Sequence, residues 1–339
     1  MFSYHSCNGG LIMKKRPFGS DKTMVSEVGL GTWQIGGGWG TVEEKTAMEI
    51  LHTATEAGIT FFDTADVYGD GRSEKFIGKF LSDHPHKIYV ATKLGRNSNP
   101  GWPENFTPEA MIRHTENSLS RLKVERLDLI QLHCIPQEIL ADGAVFDVLR
   151  DLKKQGKIGD FGVSVESVEE GLISLKEEGI ASLQVIFNIY RQKLIAELFD
   201  KAKHQGVSII ARVPLASGLL SGKMTKNTKF DETDHRNFNR DGAAFNVGET
   251  FAGLPFEKGV ELTEELAAFK PEGMTLAQMA LRWILDYDAV SVVIPGASRP
   301  AQVLDNAAIS ALPPLSPELH KKLDTFYREK VAQHIRGPY

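Results

Sequence analysis

The chain has 339 residues, 42% hydrophobic and 24% charged, with 39 basic against 44 acidic side chains and a net charge of −5. That length supports a large core, while a weakly acidic balance excludes the concentrated basic face that nucleic acid or an anionic membrane surface requires. Two cysteines, Cys7 and Cys134, cannot build a disulfide framework or a thiolate metal site, so a reducing, cytoplasmic setting is expected.

Residues 1–13 lack the charged start and apolar run of an export signal, and no stretch reaches the roughly eighteen apolar residues of a membrane span. Met13 is followed at once by Lys14, Lys15 and Arg16, so residues 1–13 read as a disordered extension and 14–339 as one folded domain. Val25 to Leu30 reads as the first strand. Thr41 and Glu44 form a capping box for a helix in which Ala47, Ile50, Leu51 and Ala54 recur at helical spacing. Gly58 ends it, and Ile59 to Phe62 is the second strand.

The unit then repeats. Ile88 to Thr92 is a strand, Thr107 and Pro108 start a helix, and Leu127 to Leu132 is the fourth strand. A helix bearing Val145, Val148, Leu149 and Leu152 precedes the strand Ile158 to Val163, and Ser167 with Glu170 caps the next helix. Strands at Ser182 to Phe187 and Val207 to Ala211 follow, separated by a helix near Leu194 and Leu198. A helix striped with Leu276, Met279, Ala280 and Trp283 leads to the last strand, Val290 to Ile294, and one with Val303, Leu304 and Ala307 closes the series. Eight near-continuous apolar strands alternating with helices predict a single (β/α)₈ TIM barrel. From about Met224 to Leu254 the chain is polar and rich in Asn, Asp and Gly, and a loop that long after the seventh strand predicts a lid.

Nucleotide fingerprints are missing. Gly29-Leu-Gly31 has Gln34 where a third glycine belongs, Gly69-Asp-Gly71 is followed by Glu74, and Gly218 to Lys223 is one residue short of a phosphate loop. A bound nucleotide would therefore have to sit on barrel loops. Polar residues just past strand ends converge on one mouth of such a barrel, and Asp63, Lys93, His133, Ser164 and Arg212 all fall there, with Tyr68 on the adjoining loop. A nearby ammonium favours phenolate and lowers the pKa of a tyrosine. Lys93 could do this to Tyr68, Asp63 could keep Lys93 charged, and His133 could orient a substrate oxygen. Taken singly, Asp63 reads equally as a loop cap, Tyr68 as a packing ring and His133 as a satisfied core histidine. Lys93, abutting an apolar buried strand, has the least structural excuse.

The motifs Phe62-Asp63-Thr64-Ala65-Asp66-Val67-Tyr68-Gly69, Val90-Ala91-Thr92-Lys93 and Leu127-Asp128-Leu129-Ile130-Gln131-Leu132-His133 resemble those of the aldo-keto reductase family, in its branch related to potassium-channel β subunits. The resemblance runs from about Arg16 to the last helix. It implies reduction of small-molecule aldehydes or ketones with NADPH: Tyr68 as general acid, Lys93 and Asp63 as its tuners, and His133 orienting the carbonyl. It also implies cofactor contacts from Gly31, Thr32 and Trp33, from Ser164 and Gln184 to the carboxamide, and from a pyrophosphate belt at Pro214, Leu215, Gly218, Leu219, Ser221 and Lys223. Gly296, Ser298, Arg299, Gln302, Asp305 and Asn306 resemble the adenosine 2′-phosphate site. Two positions depart from the family: Arg212 stands where many relatives place an aromatic, and Asp305 where many have Glu. Arg212 is accordingly expected to stack on, or hydrogen-bond to, the nicotinamide end.

Trp33, Trp39 and Trp102 are candidates for a substrate pocket. Cys134 reads as an inert core thiol, and His114, His204 and His235 read as surface residues. The leading reading is an NADPH-dependent carbonyl reductase. A nucleotide-binding redox sensor or regulatory subunit is the alternative, and a Schiff-base lyase using Lys93 as nucleophile is a third. No metal site is expected, and a monomer is the default assembly.

Overall fold

Eight short strands, apolar on both faces, hydrogen-bond in chain order into one parallel sheet. In the computed structural model, residues 13–37, 42–84 and 88–339 are described. Most of the expected N-terminal extension, together with Trp39 and Thr41, therefore lies outside the described residues. A hairpin of β1 (Lys15–Phe18) and β2 (Thr23–Ser26) precedes the sheet. The sheet runs β3 (Leu30–Gly31), β4 (Phe61–Asp63), β5 (Tyr89–Leu94), β6 (Leu127–His133), β7 (Ile158–Ser164), β8 (Ile180–Ile186), β9 (Ser208–Arg212) and β10 (Val290–Val293). Parallel bridges Val28–Val293 and Gly31–Gly296 join its two edges into the expected barrel. The Gly31 N–H donates to the Pro295 carbonyl at 3.1 Å. A Cβ at Gly31 would fall 2.8 Å from the Ile294 carbonyl oxygen, so this seam closes only around a glycine.

The apolar run Val25 to Leu30 is not one strand. Its first part belongs to β2, and its second part joins the barrel, through the Val28 bridge and the two-residue strand Leu30–Gly31. Phe18 and Val25 turn into the lower end of the barrel against Phe61, Ala91, Leu129, Ile210 and Val292. The Phe18 ring lies 5.0 Å from that of Phe61 and 5.2 Å from that of Tyr89. A hairpin that plugs a barrel carries the same apolar signature as a strand that forms one. Met13 and Lys14 are tied in as well: Met13 packs against the core and the Lys14 N–H donates to Ser310 Oγ at 2.8 Å.

The helices begin where local chemistry favours them. Pro108 opens Pro108–Leu122 at its first turn, and the Ser167 hydroxyl accepts the Glu170 N–H at 3.2 Å. Thr275 and Gln278 form a capping box that the sequence reading passed over. The helix Glu44–Glu56 has Glu43 as its N-cap, and the Thr41 half of the expected capping box lies outside the described residues. Leu304, expected on the buried stripe of Pro300–Ala307, is 53% exposed.

Residues 224–254 fold over the barrel mouth. Their polar side chains bind the loop to itself: the Asn239 carbonyl oxygen accepts the Ala244 and Phe245 N–H groups at 2.9 Å each, and its amide donates to Thr250 Oγ1 at 3.1 Å. Arg336 adds hydrogen bonds to the carbonyls of Arg240, Gly253 and Leu254. Among the described residues no helix is long and apolar enough to cross a membrane.

If the hairpin is a plug, Phe18→Ala should lower the unfolding free energy by about 3–5 kcal/mol. Met24→Ala, at an exposed position of β2, should change it by no more than about 0.5 kcal/mol. Urea denaturation checks both, and equal effects would deny the plug its role.

Candidate active site

Parallel pairing sets the polar strand ends side by side. Lys93 is in register with Gln131, His133 with Ser164, and Ser164 with Gln184. Asp63, His133, Ser164 and Arg212 each terminate a strand, so the barrel gathers at its mouth the residues that sequence position alone singled out.

The Lys93 ammonium organises this group. Its side chain is 1% exposed and that of Asp63 3%. An ammonium has three N–H donors and no acceptor, and all three are used here: on Asp63 Oδ1 at 2.6 Å, the Thr64 carbonyl at 2.8 Å and Tyr68 Oη at 3.2 Å. Asp63 Oδ2 accepts from the Gln184 amide at 2.7 Å and from Gln131 at 3.4 Å. The Tyr68 oxygen is therefore an acceptor toward Lys93, which leaves its own O–H free to donate elsewhere. The Tyr68 ring stacks on Trp33 at 5.8 Å and meets His133 edge-on at 6.0 Å.

Burial would push the Lys93 ammonium down, but Asp63 and Tyr68 outweigh it and hold it above its ordinary pKa. Such a lysine is not a Schiff-base nucleophile, which removes the support for the lyase reading. Burial raises the Tyr68 phenol, and the opposing pull of Lys93 does not reverse this. Sequence reasoning expected a lowered phenol; enclosure and the Asp63 carboxylate tip the balance, so Tyr68 keeps its proton at neutral pH. Burial, then Arg96, Lys93 and Arg212, lower His133 well below its ordinary value, and its Nδ1 is buried without a hydrogen-bond partner. The imidazole at this mouth is neutral.

A cavity of about 440 Å³ runs from these residues along the mouth. Gly31, Thr32, Trp33, Gln184 and Arg212 line it, as do Pro214, Leu215, Gly218, Ser221 and Lys223. Gly296, Ser298, Arg299 and Gln302 belong to the same lining, and the Ser298 N–H and hydroxyl both donate to Gln302 Oε1. Ser164 stands behind His133 with its hydroxyl buried and unpartnered. The remaining expected residues lie off the cavity wall: Leu219 is buried against Gly259, Asn306 points its amide at the Gly296 carbonyl at 3.5 Å, and Asp305 is exposed. A cavity walled by the cations Arg212, Lys223, Arg236 and Arg299, with Arg212 Nε buried and without a hydrogen-bond partner, fits a dinucleotide.

Several residues at this mouth escaped sequence reasoning. His235 is buried, its ring 4.6 Å from that of Trp33, and Phe245 packs on the same indole at 6.1 Å. His114 is buried too, with Nε2 3.0 Å from Asn105 Oδ1, whereas His204 is exposed as expected. Cys134 is buried but not among apolar side chains alone: its Sγ lies 3.7 Å from both Glu249 Oε1 and Arg212 Nη2. Arg96 bridges Glu166 and Glu249, donating to each at 2.9 Å. Trp102 is 57% exposed. An Asn/Asp/Gly-rich loop gives no sign of which of its residues will point inward, so Arg236 and Glu249, which line the cavity, carried no signal.

A parallel (β/α)₈ barrel with a buried Asp-Lys-Tyr cluster and a neutral histidine beside a long groove defines the mouth of an oxidoreductase. The model of the Aldo/keto reductase family matches residues 27–328, and the chain belongs to that family. Aldo-keto reductase YhdN of Bacillus subtilis (strain 168) is 29% identical over 324 residues, covering 93% of each chain. The NADH-specific methylglyoxal reductase of Escherichia coli (strain K12) is 27% identical over 317 residues, 87% of this chain and 93% of its own. The structure of the glycerol dehydrogenase AKR11B4 from Gluconobacter oxydans aligns with a TM-score of 0.76 at 28% identity, over 96% of this chain and 97% of that one.

Lys93→Met would strand the buried Asp63 charge, and breaking such a pair costs about 3–5 kcal/mol. The double variant Asp63→Asn/Lys93→Met should therefore be more stable than Lys93→Met alone. Denaturation of the three proteins tests this, and a double variant no better than Lys93→Met would show that the pair does not organise the site.

Proposed function

We propose that the protein reduces a small-molecule aldehyde or ketone to the alcohol with NADPH, Tyr68 acting as general acid. The observation that carries the reading is the triple donation by Lys93, which makes the Tyr68 oxygen an acceptor on one side and leaves its O–H to donate elsewhere. When bound, the dinucleotide supplies the hydride that adds to the carbonyl carbon. Tyr68 gives its proton to the carbonyl oxygen, and Lys93 stabilises the phenolate left behind by charge and by the hydrogen bond already in place. Asp63 keeps Lys93 charged in a buried setting. His133, neutral, orients the carbonyl by hydrogen bonding without competing for the proton.

Cofactor binding follows the groove. Arg212 Nε and Ser164 Oγ, both buried without partners, are read as donors to the carboxamide end. The belt from Pro214 to Lys223 is read as holding the pyrophosphate. Arg299, at the N-cap of Pro300–Ala307, and Ser298 are read as holding the 2′-phosphate, where a guanidinium and a helix N-terminus act together. One relative is named for NADH specificity, and Ser298 and Arg299 are read as the residues that favour NADPH in this chain. The free, buried thiol of Cys134 accords with a reducing, cytoplasmic setting.

Tyr68→Phe keeps the ring and removes the proton donor, so kcat/KM for an aromatic aldehyde should fall far more than about tenfold, 1.4 kcal/mol, with NADPH affinity unchanged. A smaller loss would take the acid role from Tyr68. Arg299→Ala should weaken NADPH and leave NADH binding nearly unaltered; equal weakening of both in a fluorescence titration would show that Arg299 does not read the 2′-phosphate.

A further inference from the structure

The turn that carries Tyr68 also buries a carboxyl that no cation meets. Asp66, two residues before Tyr68, is 0% exposed, and both of its carboxyl oxygens are buried without a hydrogen-bond partner. Its backbone N–H donates to the Lys93 carbonyl at 3.1 Å, and the Tyr68 N–H to the Ala65 carbonyl at 3.2 Å, so whatever moves Asp66 moves the turn.

The charges around Asp66 do not balance. Facing it are Glu74 from the helix Arg72–Asp83, His114 and Arg121 from the helix Pro108–Leu122, and Lys93 from β5. Arg121 Nε donates to Glu74 Oε2 at 2.6 Å, and the Thr92 hydroxyl to Glu74 Oε1 at 2.5 Å. The three donors of Lys93 are occupied by Asp63, Thr64 and Tyr68. Two buried carboxyls thus have one arginine between them, and Asp66 is the one without it. His114 offers no donor either. Asn105 Nδ2 donates to the carbonyls of Gly95 and Asn97 at 3.1 and 2.5 Å, which fixes Asn105 Oδ1 as an acceptor. His114 Nε2, 3.0 Å from that oxygen, therefore carries the ring proton, and Nδ1 of the neutral ring is a lone pair. That lone pair stands 3.8 Å from Asp66 Oδ2. An ionised carboxylate there would lose its hydration and face an acceptor; a protonated carboxyl supplies the missing donor.

We propose that Asp66 is a neutral acid whose proton is directed at His114 Nδ1, and that it is a positioning residue: when it ionises, the turn carrying Tyr68 shifts and proton delivery slows. The proposal rests on the reading of Tyr68 as general acid. Burial, then Glu74, push the Asp66 carboxyl up to about 7 against the pull of Arg121 and Lys93. Burial, then Arg113 and Arg121, lower His114, which keeps the proton on the carboxyl. Lys93 and Tyr68 are held above their ordinary values and His133 well below, so these three keep their charge through the neutral region. Glu166, in the neighbouring cluster, is a second carboxyl pushed up to about 7.

The test compares the full chain with Asp66→Asn, which keeps the shape and holds a donor toward His114 at every pH. From about pH 6 to about pH 8, kcat/KM for an aromatic aldehyde should fall at least about threefold in the unaltered protein and less than about 1.5-fold in Asp66→Asn. The two should match at the lower pH and bind NADPH with the same Kd. Stability gives a readout free of turnover. A folded carboxyl that keeps its proton where the unfolded one has lost it makes the fold less stable as pH rises between the two values, so the urea midpoint of Asp66→Asn should rise relative to that of the unaltered protein from about pH 5 to about pH 7. An equal fall in kcat/KM for both proteins would assign the titration to Glu166 and overturn the proposal, and so would a gap between urea midpoints that does not change with pH. Should the unaltered protein reduce no carbonyl, the reading of Tyr68 fails, and the urea midpoints alone decide whether Asp66 holds a proton.

Discussion

A single buried ammonium imposes its geometry on the barrel mouth. Lys93 has three N–H donors on a side chain only 1% exposed, so three acceptors must be brought to fixed positions around it: a carboxylate from the end of one strand, a backbone carbonyl and a phenol from the loop that follows. That arrangement needs β4 and β5 in register and side by side, which a closed parallel barrel provides. The hairpin plug at the opposite end serves the same requirement, because Phe18 packs on Phe61 and Tyr89, the first residues of those two strands. Packing at the bottom of the barrel thus fixes the spacing of charged groups at the top.

Charge balance governs the rest of the mouth. Next to the Lys93–Asp63 pair lies a second set of two guanidiniums and two carboxylates, Arg96, Arg212, Glu166 and Glu249, contributed by three barrel loops or strand ends and by the covering segment. Burial and the neighbouring Glu249 push Glu166 up, while the arginines hold Glu249 down, so their surroundings pull the two carboxyls in opposite directions. Both sets surround His133, and the positive members of each help to keep it neutral. On the proposed function, a neutral imidazole beside a protonated phenol can donate hydrogen bonds to a carbonyl oxygen.

Much of this was legible in the sequence. Seven of the barrel strands announce themselves as apolar runs, and the residue just past each run is where the chemistry stands; Asp63, Lys93 and His133 could be picked out on that ground before any family resemblance. What the sequence hid has common physical causes. Val25 faces the barrel interior from a hairpin, and an apolar residue reports burial without reporting which element buries it. His235 and Glu249 sit in a polar loop whose path depends on long-range ties to Ser217, Trp33 and Arg336, which no local periodicity encodes. Cys134 follows a strand end in the left-handed region, φ 55°, so strand alternation does not describe where its side chain goes. The net direction of the Tyr68 shift was misjudged for a related reason: residue types give the sign of each neighbour's influence, whereas the depth of burial that outweighs them is a property of the fold.

Delivery of a reduced nicotinamide along the groove to a carbonyl held at Tyr68 is the step on which the proposed function turns. Its most direct test is a single-turnover experiment in which protein in excess over NADPH is mixed with an aromatic aldehyde while the reduced nicotinamide signal is followed. All of the bound NADPH should be consumed in one exponential phase. Tight binding of NADPH with no loss of signal on adding aldehyde would contradict it and assign the groove to nucleotide sensing.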